Sequence, residues 1–221
     1  MSFGVGFGFG FGPGSRRAVS PAFHPSQLGP DLLAWYDPSD AATVTLNAGN
    51  FAQINDKSGN ARHEVQTTAA NQPLVGSING RTAVLATVAD RWMVAQFSAI
   101  TLPAITAFFV MSRSNVGQPV SIGSSTSAAP FLRLSTSAFL TQARGNTGSQ
   151  VNSPTIAGTQ SVPNVVMIAF EGTRVIIGVN GVEQETAGTV NPATFDRFAL
   201  MTNATTTSLG VTNNMIGNVG E

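Results

Sequence analysis

Apolar and polar residues from position 31 onward fall into short runs bounded by Gly, Asn, Pro or Ser, and helical spacing is nearly absent. The runs predict strands at Leu32–Asp37, Phe51–Asn55, Arg81–Thr87, Val120–Ile122, Phe131–Ser135, Ala138–Ala143, Phe195–Thr202 and Met215–Val219. Ile105–Ser112 (ITAFFVMS) is apolar without alternation, which predicts a central strand buried on both faces. The clearest hairpins come late. Asn164–Phe170 runs through Glu171-Gly172 into Arg174–Val179, and Asn180-Gly181 leads on to Val182–Thr186. An Asn-Gly pair between β-rich runs suits a type I′ turn, where both central residues take positive φ. Val175, Ile177 and Val179 share one face, as a half-buried strand requires. A second Asn-Gly pair, at Asn79-Gly80, precedes Arg81–Thr87. So many short strands predict an all-β, two-sheet antiparallel β-sandwich of jelly-roll type.

The start of the chain obeys a different rule. In residues 2–14 (SFGVGFGFGFGPG), Phe3, Val5, Phe7, Phe9 and Phe11 alternate with glycine. In an extended chain these side chains line one face, while so glycine-rich a segment has too few side chains to fold alone. It is expected to be an extended docking arm that lays its Phe stripe on a partner. Residues 15–30 read as a linker stiffened by Pro21, Pro25 and Pro30. Residues 31–221 form the sandwich domain.

Composition removes several classes of partner. Charged residues make up 10% of the 221-residue chain, against about 25% in ordinary soluble domains. The formal net charge is zero and Lys57 is the single lysine. Such a surface has little long-range attraction for phosphate backbones, so nucleic acid is not an expected partner. Without cysteine there are no disulfides, thiolate metal sites or cysteine nucleophiles. Neither a signal-peptide pattern nor an apolar run of the roughly 20 residues needed to span a bilayer is expected to be present.

Three blocks carry a resemblance: Leu33-Ala34-Trp35-Tyr36-Asp37-Pro38-Ser39-Asp40, then Ile54-Asn55-Asp56-Lys57-Ser58-Gly59-Asn60-Ala61-Arg62-His63, then Gln72-Pro73. Together they resemble the concanavalin A-like, laminin-G-like jelly-roll domains found in phage virion proteins and bacterial surface proteins. The unit from Phe170-Glu171-Gly172 to Asn180-Gly181-Val182 resembles that family's late hairpin. The resemblance implies a non-enzymatic virion structural protein that decorates a capsid, forms a head fibre or joins a tail. The alternative is a module that binds host surface glycans. In that family the last strand pairs beside the first. Here the pattern Ile216-Gly217-Asn218-Val219-Gly220-Glu221 reaches only its beginning. An open sheet edge at Leu32–Asp37 is therefore expected, covered by a neighbouring chain or by the arm. Virion proteins and further copies of the chain are the expected partners, and the particle the expected location.

Few residues suggest chemistry. Asp37, Asp40, Asn55 and Asp56 sit in turns, the three aspartates being the calcium candidates, though Asx-turn roles explain the first two as well. No other cofactor is expected. His24 and His63 lack a nucleophile elbow beside them. Glu171, Glu183 and Glu185 lack the full acidic strand motif of sandwich glucanases. Tyr36 and Trp92 are the candidate sugar-stacking rings, with Trp35 assigned to the core.

Overall fold

A computed structural model describes residues 24–88, 90–113, 119–127, 129–134, 139, 141–143, 150–157, 161–190, 193–202 and 217–220. The expected Phe/Gly arm lies outside these residues. The strands are β1 Val44–Asn47, β2 Asn50–Ile54, β3 Glu64–Val65, β4 Leu74–Ile78, β5 Arg81–Ala86, β6 Met93–Leu102, β7 Ala104–Arg113 and β8 Val120–Gly123. They continue as β9 Leu132–Leu134, β10 Thr141–Ala143, β11 Val151–Asn152, β12 Asn164–Glu171, β13 Arg174–Val179, β14 Val182–Ala187, β15 Ala193–Leu200 and β16 Gly217–Gly220. All the pairings among them are antiparallel.

The strands fold into two layers. One has the order β4-β5-β16-β7-β12-β13-β14 and the other β2-β3-β6-β15-β8-β9-β10-β11, with β1 on β2. A single residue pair, Asn50 with Leu74, joins them. Between them lies one core to which Phe51, Ile54, Met93, Phe139 and Phe195 contribute from one layer, and Met111, Ile168, Phe170 and Ile177 from the other. The fold is thus the all-β, two-sheet antiparallel sandwich that the strand pattern predicts. Asn180 and Gly181 turn with φ of 51° and 83°, and Asn79 and Gly80 with 49° and 80°, which is the backbone a two-residue I′ hairpin needs. Among the described residues no helix is long and apolar enough to cross a membrane.

Three expectations about the strands change. Leu32–Asp37 is extended but enters no ladder. Its backbone groups are taken instead by the 56–62 loop: Trp35 N donates to Asp56, Lys57 N donates to Trp35 O, and Asn60 Nδ2 donates to Leu32 O. The short last strand β16 does not lie beside it, being held between β5 and β7. The open edge expected at Leu32–Asp37 is therefore absent, and the described layer ends are β4, β14, β11 and β1, with β4 touching β2 through one residue pair. Within the expected linker, Pro25–Asp31 winds as a 3-10 turn capped by His24.

The third change concerns β7. It is internal to its layer, between β16 and β12. Its Ile105, Phe109 and Met111 point into the core, but Phe108 is 71% exposed. The ladder covers a strand's edges, and only an opposing layer covers its faces. Here one layer opposes it, so the other half of the apolar run faces outward.

Candidate functional site

Two features could carry function: a polar clasp around the first segment, and the outer face of the β7–β12–β13–β14 layer.

The clasp is built on two aspartates. Asp56, buried, accepts from Trp35 N (2.9 Å), Ser58 N (2.9 Å), Ser58 Oγ (2.8 Å) and Arg62 N (3.1 Å). Asp37 accepts from Ser39 N and Ser39 Oγ. Lys57 then reaches between acids, its Nζ 2.8 Å from Asp40 and 3.3 Å from Asp37, with the ammonium 4.4 Å from the Trp35 ring centroid. The hydrogen bond to Asp40 raises the Lys57 pKa despite some burial. Burial pushes the Asp37 carboxyl up, but hydrogen bonds from Ser39 and Lys57 outweigh it and hold it below the usual range.

This placement bears on the calcium candidates. Asp37 and Asp40 converge on the Lys57 ammonium, while Asp56 faces backbone and hydroxyl donors. Among the described residues no group of three potential metal ligands gathers. Asn55 accepts from Gln53.

His24 stacks edge-on against Trp35, with centroids 4.8 Å apart, and its Nδ1 lies 2.7 Å from Ser26 Oγ. His63 Nδ1 accepts from Asp56 N (3.0 Å). Tyr36 turns its phenol inward and donates to Arg62 O. Burial, then the nearby Glu64 and Asp56 carboxylates, raise its pKa well above the usual phenol value. Trp92 packs against the core with its Nε1 buried. Packing therefore positions both candidate sugar rings. A cleft of about 340 Å³ opens beside the clasp, lined by Ser26, Leu32, Lys57 and Asn60 among others. Its main polar groups are already engaged, Lys57 with the aspartates and Asn60 with Leu32 O and Leu33 O.

The outer face is different in kind. Cross-strand register puts Phe108 beside Met167, Gly178 and Glu183 in one row, and Thr106 beside Ala169, Ile176 and Glu185 in the next. Val110 pairs with Val165 in a third. Phe108 and Val165 are exposed at 71% and 55%. Gly178 is closely packed: a Cβ there would lie 3.2 Å from Met167 Cβ and 3.3 Å from Met167 Cε, so Met167 would have to shift. Met167 thus leans across a bare backbone. Ala169 and Ile176 are buried within the face, which runs from the exposed Phe108 on β7 to the β14 carboxylates.

The glutamates considered for glycoside chemistry belong to this face. Glu171 and Glu185 both pair with Arg174 on the outer surface. Glu183 has no ion-pair partner among the described residues. The face itself was missed from the sequence, because ITAFFVMS reads equally well as a strand buried on both sides.

No family model matches the chain, and no curated protein matches it. Solved structures do. Laminin alpha1 domains LG4-5 from mouse share 12% identity at a TM-score of 0.49, over 76% of this chain and 47% of that one. The chain thus spans about half of that laminin chain. The chicken liver agglutinin CG-16, a homodimer, shares 14% identity at a TM-score of 0.34, over 49% of this chain and 90% of that one. Alginate lyase A1-II′ shares 13% identity at a TM-score of 0.37, over 88% and 95%. The expectation of a protein without enzymatic activity is corrected here, because solved structures similar to this one include an enzyme over nearly its whole length. At these identities the likeness concerns fold and assigns no residue a role.

Proposed function

We propose that this chain is an interaction module that assembles with copies of itself through the outer face of the β7–β12–β13–β14 layer. A virion is the setting that the sequence resemblance implies for such an assembly. One observation carries the reading: an internal strand with an apolar residue on both faces of its run leaves Phe108 71% exposed, with Val110, Val165 and Met167 around it. Large exposed aromatics grouped with aliphatic neighbours mark contact surfaces. A net charge of zero adds no long-range repulsion between copies.

The full chain is expected to self-associate in sedimentation velocity as concentration rises. Phe108→Ser should weaken that association about tenfold to a hundredfold, the equivalent of about 1.5–3 kcal/mol for one buried aromatic. Because Phe108 is outside the core, its circular dichroism should match that of the parent. Association of equal strength in the variant would sink the reading.

A second reading uses the same ring. An exposed aromatic with a hydroxyl side chain two residues along the same strand face, here Thr106, can stack a sugar ring. Glycan-array signal that the Phe108→Ser chain loses would favour it over self-assembly.

A further inference from the structure

We infer that the exposed apolar rows of β7 and β12 on this face are the seat of the Phe/Gly stripe, Phe3 to Phe11, of a second copy of the chain. The inference rests on the self-assembly reading and names what that assembly exchanges.

Spacing is the first argument. In an extended arm, Phe7, Phe9 and Phe11 recur every second residue, about 6.6–7 Å apart on one side. Phe108 and Val110 on β7, and Val165 and Met167 on β12, recur at the same two-residue interval. An arm running along these strands therefore sets one apolar side chain per step of the face.

The arm's other side supports the same placement. Gly4, Gly6, Gly8 and Gly10 occupy the alternate positions, so an arm seated Phe-side down presents bare backbone outward. Two apolar surfaces vanish and no new one forms.

Charge adds a complementary match. Residues 2–14 carry no charge, matching the apolar rows. Arg16 and Arg17 follow Phe11 by five and six positions. The face carries Glu183 on β14, which has no ion-pair partner among the described residues, and Glu185 and Glu171, which share one arginine. A basic pair just beyond the stripe meets those carboxylates.

Length allows the exchange. From Phe11 to His24, where the described chain begins against Trp35, an extended chain covers roughly 40 Å. That is about the diameter of a compact domain of this size. Each copy can donate one stripe and accept another, a head-to-tail contact that propagates until it closes.

The test uses the full chain with a photoreactive analogue in place of Phe9, mixed as isotopically light and heavy copies. Irradiation should join position 9 to peptides from 104–113 or 164–171, with light chains linked to heavy ones, and Phe108→Ser should abolish these products. Links confined to single chains, or to other parts of the surface, overturn the inference. The double variant Phe7→Ser with Phe9→Ser should weaken association on the order of a hundredfold. If Phe108→Ser weakens association and this double variant does not, the stripe is not the occupant while the assembly reading stands. If Phe108→Ser leaves association intact, both fall.

Discussion

Asp56→Ala is expected to lower the unfolding free energy by about 3–5 kcal/mol, a large part of the roughly 5–15 kcal/mol typical of a domain. The carboxylate is the shared acceptor for Trp35 N, Ser58 N, Ser58 Oγ and Arg62 N. Its removal leaves three backbone N–H groups from two separate segments without an acceptor, and an unmade buried hydrogen bond costs more than a made one contributes. The loss is not local, because the segment released is the one that seats Trp35, and Trp35 in turn faces both His24 and Lys57. Urea unfolding followed by tryptophan fluorescence measures it. Asp56→Asn keeps one acceptor oxygen and should lose about half as much. A change below about 1 kcal/mol for the alanine variant would mean that the clasp does not hold the first segment in place.

The clasp also shows where local pattern and tertiary structure part. Leu32–Asp37 is aromatic and β-prone, so it reads as a strand, yet its backbone groups are satisfied by a loop more than twenty residues away. Nothing within the run announces that. The hairpins were legible because their signal is local: Asn-Gly imposes positive φ at both positions whatever surrounds it. By contrast, β6 is ten residues long and escaped prediction. Its Met93, Val94 and Ala95 are all buried, and the pairing with β15 shifts register between Phe195 and Arg197. That irregularity breaks the two-residue period on which such a prediction depends.

The outer face failed for a related reason. Apolar content tells how much surface a strand wants covered, not whether this chain's own second layer covers it. Ile105–Ser112 asks for two covers and receives one, and the unanswered half is the candidate site. Turn aspartates were visible as cation candidates, but that the cation is Lys57 follows only from the fold bringing residue 57 beside residues 37 and 40.

Stability of the native chain should fall as pH rises above the ordinary carboxylate range, and Glu64→Gln should remove that fall. Glu64 lies on β3 opposite Ile54, fully buried, and neither of its oxygens has a hydrogen-bond partner among the described residues. Burial alone pushes its pKa well above the usual value, so the folded chain holds the carboxyl protonated where the unfolded chain does not. Tyr36, itself buried, couples to Glu64, Asp56 and Arg62 together, so these groups share one charged neighbourhood. The sign follows from proton counting. Below about pH 4 both states bind the proton and the full stability is present. As pH rises past that point the unfolded state releases it first, and stability drops by about 1.4 kcal/mol per pH unit until the folded-state pKa is reached. Asp37 and Asp196 act oppositely. In both, burial raises the pKa but hydrogen bonds outweigh it: to Ser39 and Lys57 for Asp37, to Ser125 and Arg197 for Asp196. Their stabilisation is present above about pH 4 and is lost as pH falls through their lowered values. Stability should therefore peak at roughly pH 4, where the two windows meet. Urea midpoints measured from about pH 5 to about pH 9 should decline for the native chain and stay level for Glu64→Gln, whose amide cannot ionise. Parallel declines in both chains would place the titrating group elsewhere. A level native curve would mean that the folded chain meets no cost in keeping Glu64 buried.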